Sequence, residues 1–161
     1  MHFVYTREQM ALVIGSPTAA HAKWHRAMEA YFARQPAEAQ QILGELFAED
    51  LAFKPPTYHK TRRSKPFAIK ALEGVALAFE DFTYVREWVS PSHWALEFKC
   101  KVDGMEVQGV DLVTLDAKGE KIVEFAVAAR PPNAMQALLK RQNEFMKDFL
   151  AAEAAKTRAK M

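Results

Sequence analysis

At Phe82 the spacing of apolar residues changes from three-and-four to two, and that switch narrows what this chain can fold into. Before it the pattern is helical. Ser16 and Pro17 form a cap and first-turn pair ahead of one stripe made by Ala20, Trp24, Ala27, Met28 and Tyr31. Pro36 opens a second helix carrying Ala39, Ile42, Leu43, Leu46 and Phe47, and Ser64 with Pro66 starts a third with Phe67, Leu72, Val75 and Phe79. Between them a short strand, 51–54, ends at Pro55 and Pro56, which cannot continue a central strand. After the switch, four alternating segments follow at 82–89, 94–102, 107–115 and 122–129. Ser90-Pro91, Asp103-Gly104 and the Asp116 to Gly119 turn separate them. Asn133 then caps a last helix with Met135, Leu138, Leu139, Gln142, Phe145 and Phe149 on one side. Helices followed by a meander predict an α+β domain over 16–150. Thr6, Gln9, Met10, Leu12 and Val13 read as a capping box and a short helix in an N-terminal extension, 1–15, and Lys156, Arg158 and Lys160 mark a basic tail, 151–161.

Composition excludes several classes. A chain of 161 residues, 50% hydrophobic, buries one ordinary core. A net charge of +2 spread along the chain offers no concentrated positive face, so no nucleic-acid partner is expected. No segment approaches the roughly 20 apolar residues of a membrane span, and Arg7, Glu8 and Gln9 interrupt the first stretch, so neither a membrane partner nor a signal peptide is expected. Cys100 is the single cysteine; it rules out an internal disulfide and fits a reducing, cytoplasmic location, as a small buried hydrophobe. There is no phosphate-cradling loop, dinucleotide fingerprint or serine elbow.

The alternation sorts the strand faces. Trp94, Leu96, Phe98, Cys100 and Val102 oppose Glu97, Lys99 and Lys101, so the first row points inward. On the next strand the choice lies between the row with Asp111 and the row with Gln108. The apolar Val107, Val113 and Leu115 favour the Asp111 row, which sets a carboxylate among hydrophobes. The second faces of the last two strands also stay partly apolar, and a homodimer joined through the outer sheet face accounts for them.

The run Trp94-Ala-Leu-Glu-Phe98, then Val110-Asp111-Leu-Val-Thr-Leu-Asp116, the Gly119 turn, Ile122-Val-Glu-Phe125 and Arg130-Pro131 resemble SnoaL-like proteins of the nuclear transport factor 2 superfamily. The resemblance covers 16–149 and implies a cone-shaped α+β barrel. Three N-terminal helices would pack in a curved, mostly antiparallel sheet, with a long C-terminal helix. Ketosteroid isomerases, SnoaL-type polyketide cyclases, limonene epoxide hydrolases and scytalone dehydratases share that fold with non-catalytic members. By this resemblance Asp111 matches the strand aspartate that holds an oxyanion in the isomerases, or acts as acid and base in the cyclases, and Tyr31 is placed like the oxyanion tyrosine. The isomerase base falls near Pro55, which carries no proton.

Each candidate has a plain alternative. A carboxyl group in an apolar cavity is costly to ionise and becomes an acid or base near neutral pH; facing outward, or bonded near a bulge at Gly109, Asp111 would do neither. Tyr31 is either catalytic or a core tyrosine with a satisfied hydroxyl. His59, following Pro55, Pro56, Thr57 and Tyr58, either supplies the missing base or is a solvated loop residue. His21 and His25 stand one helical turn apart, a metal-gripping spacing. With no third ligand apparent they read as exposed, and neither a metal nor a cofactor is expected. Lys60, Arg62, Arg63 and Lys65 read as a solvated loop or an anion site at the third helix. Trp24, Phe53, Trp94, Leu96, Phe98, Cys100, Val113, Phe125 and Val127 are the expected lining of an apolar ligand pocket. The whole predicts a protein that binds a small hydrophobic molecule. As an enzyme it would be a cofactor-independent lyase or isomerase acting on a carbonyl compound through Asp111, Tyr31 and His59; the alternatives are a binding module without turnover and a dimeric interaction scaffold.

Overall fold

The computed structural model describes residues 11–161. In chain order the elements are β1 (Leu12–Gly15), α1 (Ala19–Phe32), α2 (Pro36–Leu46), β2 (Phe47–Lys54) and β3 (Arg62–Arg63). There follow α3 (Lys65–Ala78), β4 (Glu80–Val89), β5 (His93–Val102), β6 (Met105–Leu115), β7 (Ile122–Arg130) and α4 (Pro132–Ala159). The strands form one seven-stranded sheet, ordered β1-β4-β5-β6-β7-β2-β3. The meander β4 to β7 is antiparallel, while β1 joins β4 and β2 joins β7 in parallel. With β1 and β3 at its two ends the curved sheet stays open.

The helices start where local chemistry directs. Thr18, one residue beyond the expected Ser16-Pro17 pair, caps α1 by accepting from the His21 amide, and Ser64 caps α3 by accepting from the Phe67 amide. Pro36 stands first in α2, where its missing N–H costs nothing. At α4 the expected cap is displaced: Pro131 precedes the helix, and Asn133 lies inside the first turn.

Two expectations at the chain ends are corrected. Leu12 and Val13 lie in β1, paired with Arg86 and Glu87, because an unpaired sheet edge offers their backbone a full ladder; Thr6, Gln9 and Met10 lie outside the described residues. Residues 151–159 are not a separate tail but continue α4, whose alanines favour helix.

The inward rows of β5 and β6 are the expected ones. Trp94, Leu96, Phe98, Cys100 and Val102 are buried, and so are Val107, Asp111, Val113 and Leu115 across the ladder. Gly109 sits in that row because the Phe98 ring lies on it; a Cβ there would stand 2.3 Å from Phe98 Cζ. On the other sheet face Trp88 and Leu112 remain exposed. The α4 helix packs along α3 where Gly74 makes room for the Phe145 ring, and Trp24 of α1 reaches across the sheet to β4.

Candidate functional site

The inward side chains of β4 do not follow simple alternation. Its pairing with β5 slips between Tyr84 and Arg86, a bulge that lets Tyr84 and Glu87, three positions apart, both point into the protein. Arg86 and Trp88 turn outward. Above this strand runs α1, whose positions 21, 24 and 25 share one face.

These pieces assemble a buried polar cluster. Trp24 Nε1 donates to Tyr84 Oη at 3.0 Å, and Tyr84 Oη donates to Asp111 Oδ2 at 3.1 Å. Three positions along β4 from Tyr84, Glu87 Oε1 lies 2.7 Å from His25 Nε2 and Oε2 lies 3.3 Å from His21 Nε2. The histidine rings meet edge-on at 4.6 Å, His25 lies edge-on to Tyr84 at 5.1 Å, and His21 lies edge-on to Trp94 at 5.3 Å. Asp111, Glu87 and His21 are 5%, 1% and 6% exposed, so water contributes little to holding their charges.

Electrostatics separates the two carboxyl groups. Burial pushes Asp111 up to about 7, with the Glu87 charge adding to it and the Tyr84 hydrogen bond opposing it. Burial alone would raise Glu87 too, but the two imidazoles facing it outweigh that and hold it down to about 2. Burial and the Asp111 carboxylate push Tyr84 well above the usual phenol range, so it remains a donor. Two inward acids, one easily protonated and one ionised, stand on one sheet face, an arrangement that suits a division into acid and counter-charge.

Similar folds confirm the architecture. No protein-family model matches the sequence, and no curated protein matches it either. Among solved structures, an uncharacterised protein conserved in bacteria with a cystatin-like fold, from Silicibacter pomeroyi, is 33% identical. The match covers 86% of this chain and 94% of that one, with a TM-score of 0.70. A steroid delta-isomerase from Pseudomonas aeruginosa is 28% identical over 86% of this chain and 98% of its own, with a TM-score of 0.71. An NTF2-like protein from Mesorhizobium loti, 16% identical over 74% of this chain and 99% of its own, shares the fold at a TM-score of 0.60. This chain belongs to the nuclear transport factor 2-like superfamily.

Within this NTF2-like domain the other expected site residues fall in different places. Tyr31 is buried, but its hydroxyl donates to the Ile69 carbonyl at 2.7 Å and so ties α1 to α3. The tyrosine bonded to Asp111 is Tyr84 instead. His59 is exposed in the bend after β2, where Thr57 and Tyr58 bond Gln142 and Asn143 of α4. Contrary to the reading of exposed helix residues, His21 is buried and His25 partly so, and Glu87 is the third ligand-type side chain beside them. Sequence reasoning missed Glu87 and Tyr84; the one available signal was an acidic residue next to Arg86 in a strand segment, Tyr84 to Val89, that is apolar and aromatic at its other positions.

Of the expected pocket lining, Trp24, Trp94, Leu96, Phe98, Cys100, Val113 and Phe125 are core residues packed on one another, and Val127 lies at its margin. Burial pushes the Cys100 thiol up to about 12, which makes it inert. Phe53 alone of that set lines a described recess, with Pro55, Tyr58, Phe67, Gln142 and Met146 among its walls; its volume of about 10 Å³ holds one water. Between Gln136 and Lys147 one face of α4 lies open. In the basic run, Lys65 pairs with Glu49 at 2.8 Å and the Arg62 guanidinium covers the Phe67 ring. On the outer face Glu124 pairs with Lys54, and Arg130 bonds Gln108. Among the described residues no helix is long and apolar enough to cross a membrane.

Proposed function

We propose that the protein binds a small hydrophobic carbonyl compound inside the cone and acts on it as a lyase or isomerase, with Asp111 as the acid. The observation that carries this is the buried chain from Trp24 through Tyr84 to Asp111, which leaves one carboxyl group poised to hold a proton near pH 7. Tyr84 fixes Oδ2. Oδ1 then carries the proton and donates a hydrogen bond to the ligand's carbonyl oxygen, which polarises that carbonyl. The apolar walls formed by Trp94, Leu96 and Phe98 strengthen that hydrogen bond by excluding water. The likeness to a steroid delta-isomerase, 28% identical over 86% of this chain, supports isomerase chemistry. Cytoplasmic residence and a homodimer through the face bearing Trp88 and Leu112 complete the reading, and the mass in solution tests the dimer.

A second reading is a binding module without turnover. Its support is specific: the recess by Phe53, Phe67 and Met146 does not touch Asp111, and the residues around Asp111 are packed core. One experiment separates the two. A denatured extract of the purified protein is searched by mass spectrometry for a retained molecule, which is then incubated with fresh protein and with Asp111→Asn. Conversion by the wild type, slowed at least about 100-fold in the variant while binding persists, is the enzymatic outcome. A molecule that both proteins retain unchanged assigns the protein to binding alone.

A further inference from the structure

Where α1 passes over β4, three ligand-type side chains converge, close enough to pair yet with three buried atoms that make no hydrogen bond. One donor atom from each of His21, His25 and Glu87 lies within 4.8 Å of the others. The side chains of His21 and Glu87 are 7% and 2% exposed. Nε2 of both histidines and Oε1 of Glu87 have no hydrogen-bond partner: they approach one another closely, but not along hydrogen-bonding directions. Leaving even one buried polar group unpaired is costly, and three at one point call for a shared partner. A proton joins two of these atoms at most, whereas a cation accepts lone pairs from all three.

We propose that His21, His25 and Glu87 bind one divalent first-row transition-metal cation, leaving an open coordination position on the side where His25 reaches solvent. Two imidazole nitrogens and a carboxylate oxygen suit zinc, cobalt or ferrous iron, whereas magnesium and calcium prefer oxygen throughout. Bonds of about 2.0 to 2.1 Å set tetrahedral donors about 3.3 Å apart, and the His21 to Glu87 separation is already 3.3 Å. The frame is rigid. The histidines are four residues apart on one helical face, and the β4 bulge turns Glu87 toward them. Three protein ligands with one position open is the pattern of a reactive metal rather than a closed structural one. Trp94, edge-on to His21, keeps a buried Nε1 without an acceptor, a donor for a molecule held beside the cation. The three ligands share no hydrogen bond with the Trp24–Tyr84–Asp111 chain and only the Glu87 charge reaches Asp111, so metal uptake and turnover are read separately.

The full chain, its purification tag cleaved and its metals removed by chelation, is titrated with Co²⁺ and then with Zn²⁺. The expected result is one Co²⁺ per chain with the visible absorption of a four- or five-coordinate ion, displaced by Zn²⁺. His25→Ala and Glu87→Gln each weaken binding at least about tenfold and abolish that absorption, while His93→Ala, at an exposed histidine elsewhere, leaves both unchanged. Circular dichroism establishes that the variants are folded, and if Glu87→Gln does not fold, the partly exposed His25 carries the test. Absence of stoichiometric Co²⁺ uptake by the wild type overturns the proposal, as does uptake that persists in His25→Ala.

Discussion

The interior of this protein is held together in two different ways on either side of Trp24. Toward β4 and β6, the indole N–H begins a hydrogen-bond chain through Tyr84 to Asp111, next to Glu87 and the two histidines. Toward β2 and β7, the same indole ring packs on Phe47 and Phe125, and Phe125 stacks on Phe53, which meets Phe67 and in turn Phe149. The apolar half is stabilised by burial alone, which is undirected and independent of pH. The polar half depends on direction and on protonation. One side therefore supplies stability, and the other retains groups that a stability-driven core would replace.

Removing packing from the apolar half has the largest expected effect. Phe125→Ala costs about 3 to 5 kcal/mol through lost burial and the cavity left behind, read from urea unfolding at constant m-value. That loss is the same at pH 5 and pH 8. A strongly pH-dependent loss would show that the two halves are not separate.

The polar half shows the opposite behaviour. Folding raises the pKa of Asp111, so the native state holds this proton where the unfolded chain has released it. Its stabilising contribution is fully present below about pH 4, the unfolded value, and declines as pH rises to about 7. Asp111→Asn removes that slope, and the gap between variant and wild-type stability shifts in favour of the variant by a few kcal/mol from pH 4 to pH 8. Parallel stability curves would place the carboxyl group in water.

Tyr84→Phe costs about 1 to 3 kcal/mol, since it removes the donor to Asp111 and the acceptor for Trp24. It also raises Asp111 further, because the Tyr84 hydrogen bond lowers it. The carboxyl titration, followed by carbon-detected NMR, moves upward. The smallest effect belongs to the surface: Glu124→Gln breaks an exposed pair with Lys54 and changes stability by less than about 1 kcal/mol, decreasing with salt.

Much of the fold was legible before any coordinates. The period change at Phe82, the Asp103-Gly104 hairpin and the Gly119 turn place all four meander strands, because a half-buried strand repeats every two residues and turns need particular backbones. The site was legible only in part. Asp111 is inferred to face inward from the apolar row it interrupts, and it does. Tyr31 and Tyr84 are both aromatic residues with a polar tip, and only the helix-to-sheet geometry decides which hydroxyl meets Asp111 and which meets the Ile69 carbonyl. The pocket lining was over-read for a related reason: an inward row of apolar side chains looks the same whether it surrounds a cavity or fills one.

Sequence alone determined the order of elements, the inward row of the meander and a carboxylate placed within it, since each rests on local periodicity. Tertiary structure alone decided that Glu87 joins the two histidines. A single slipped residue between Tyr84 and Arg86 reverses which side chains of β4 face inward, and such a slip is set by pairing with β5 rather than by any residue type in β4 itself.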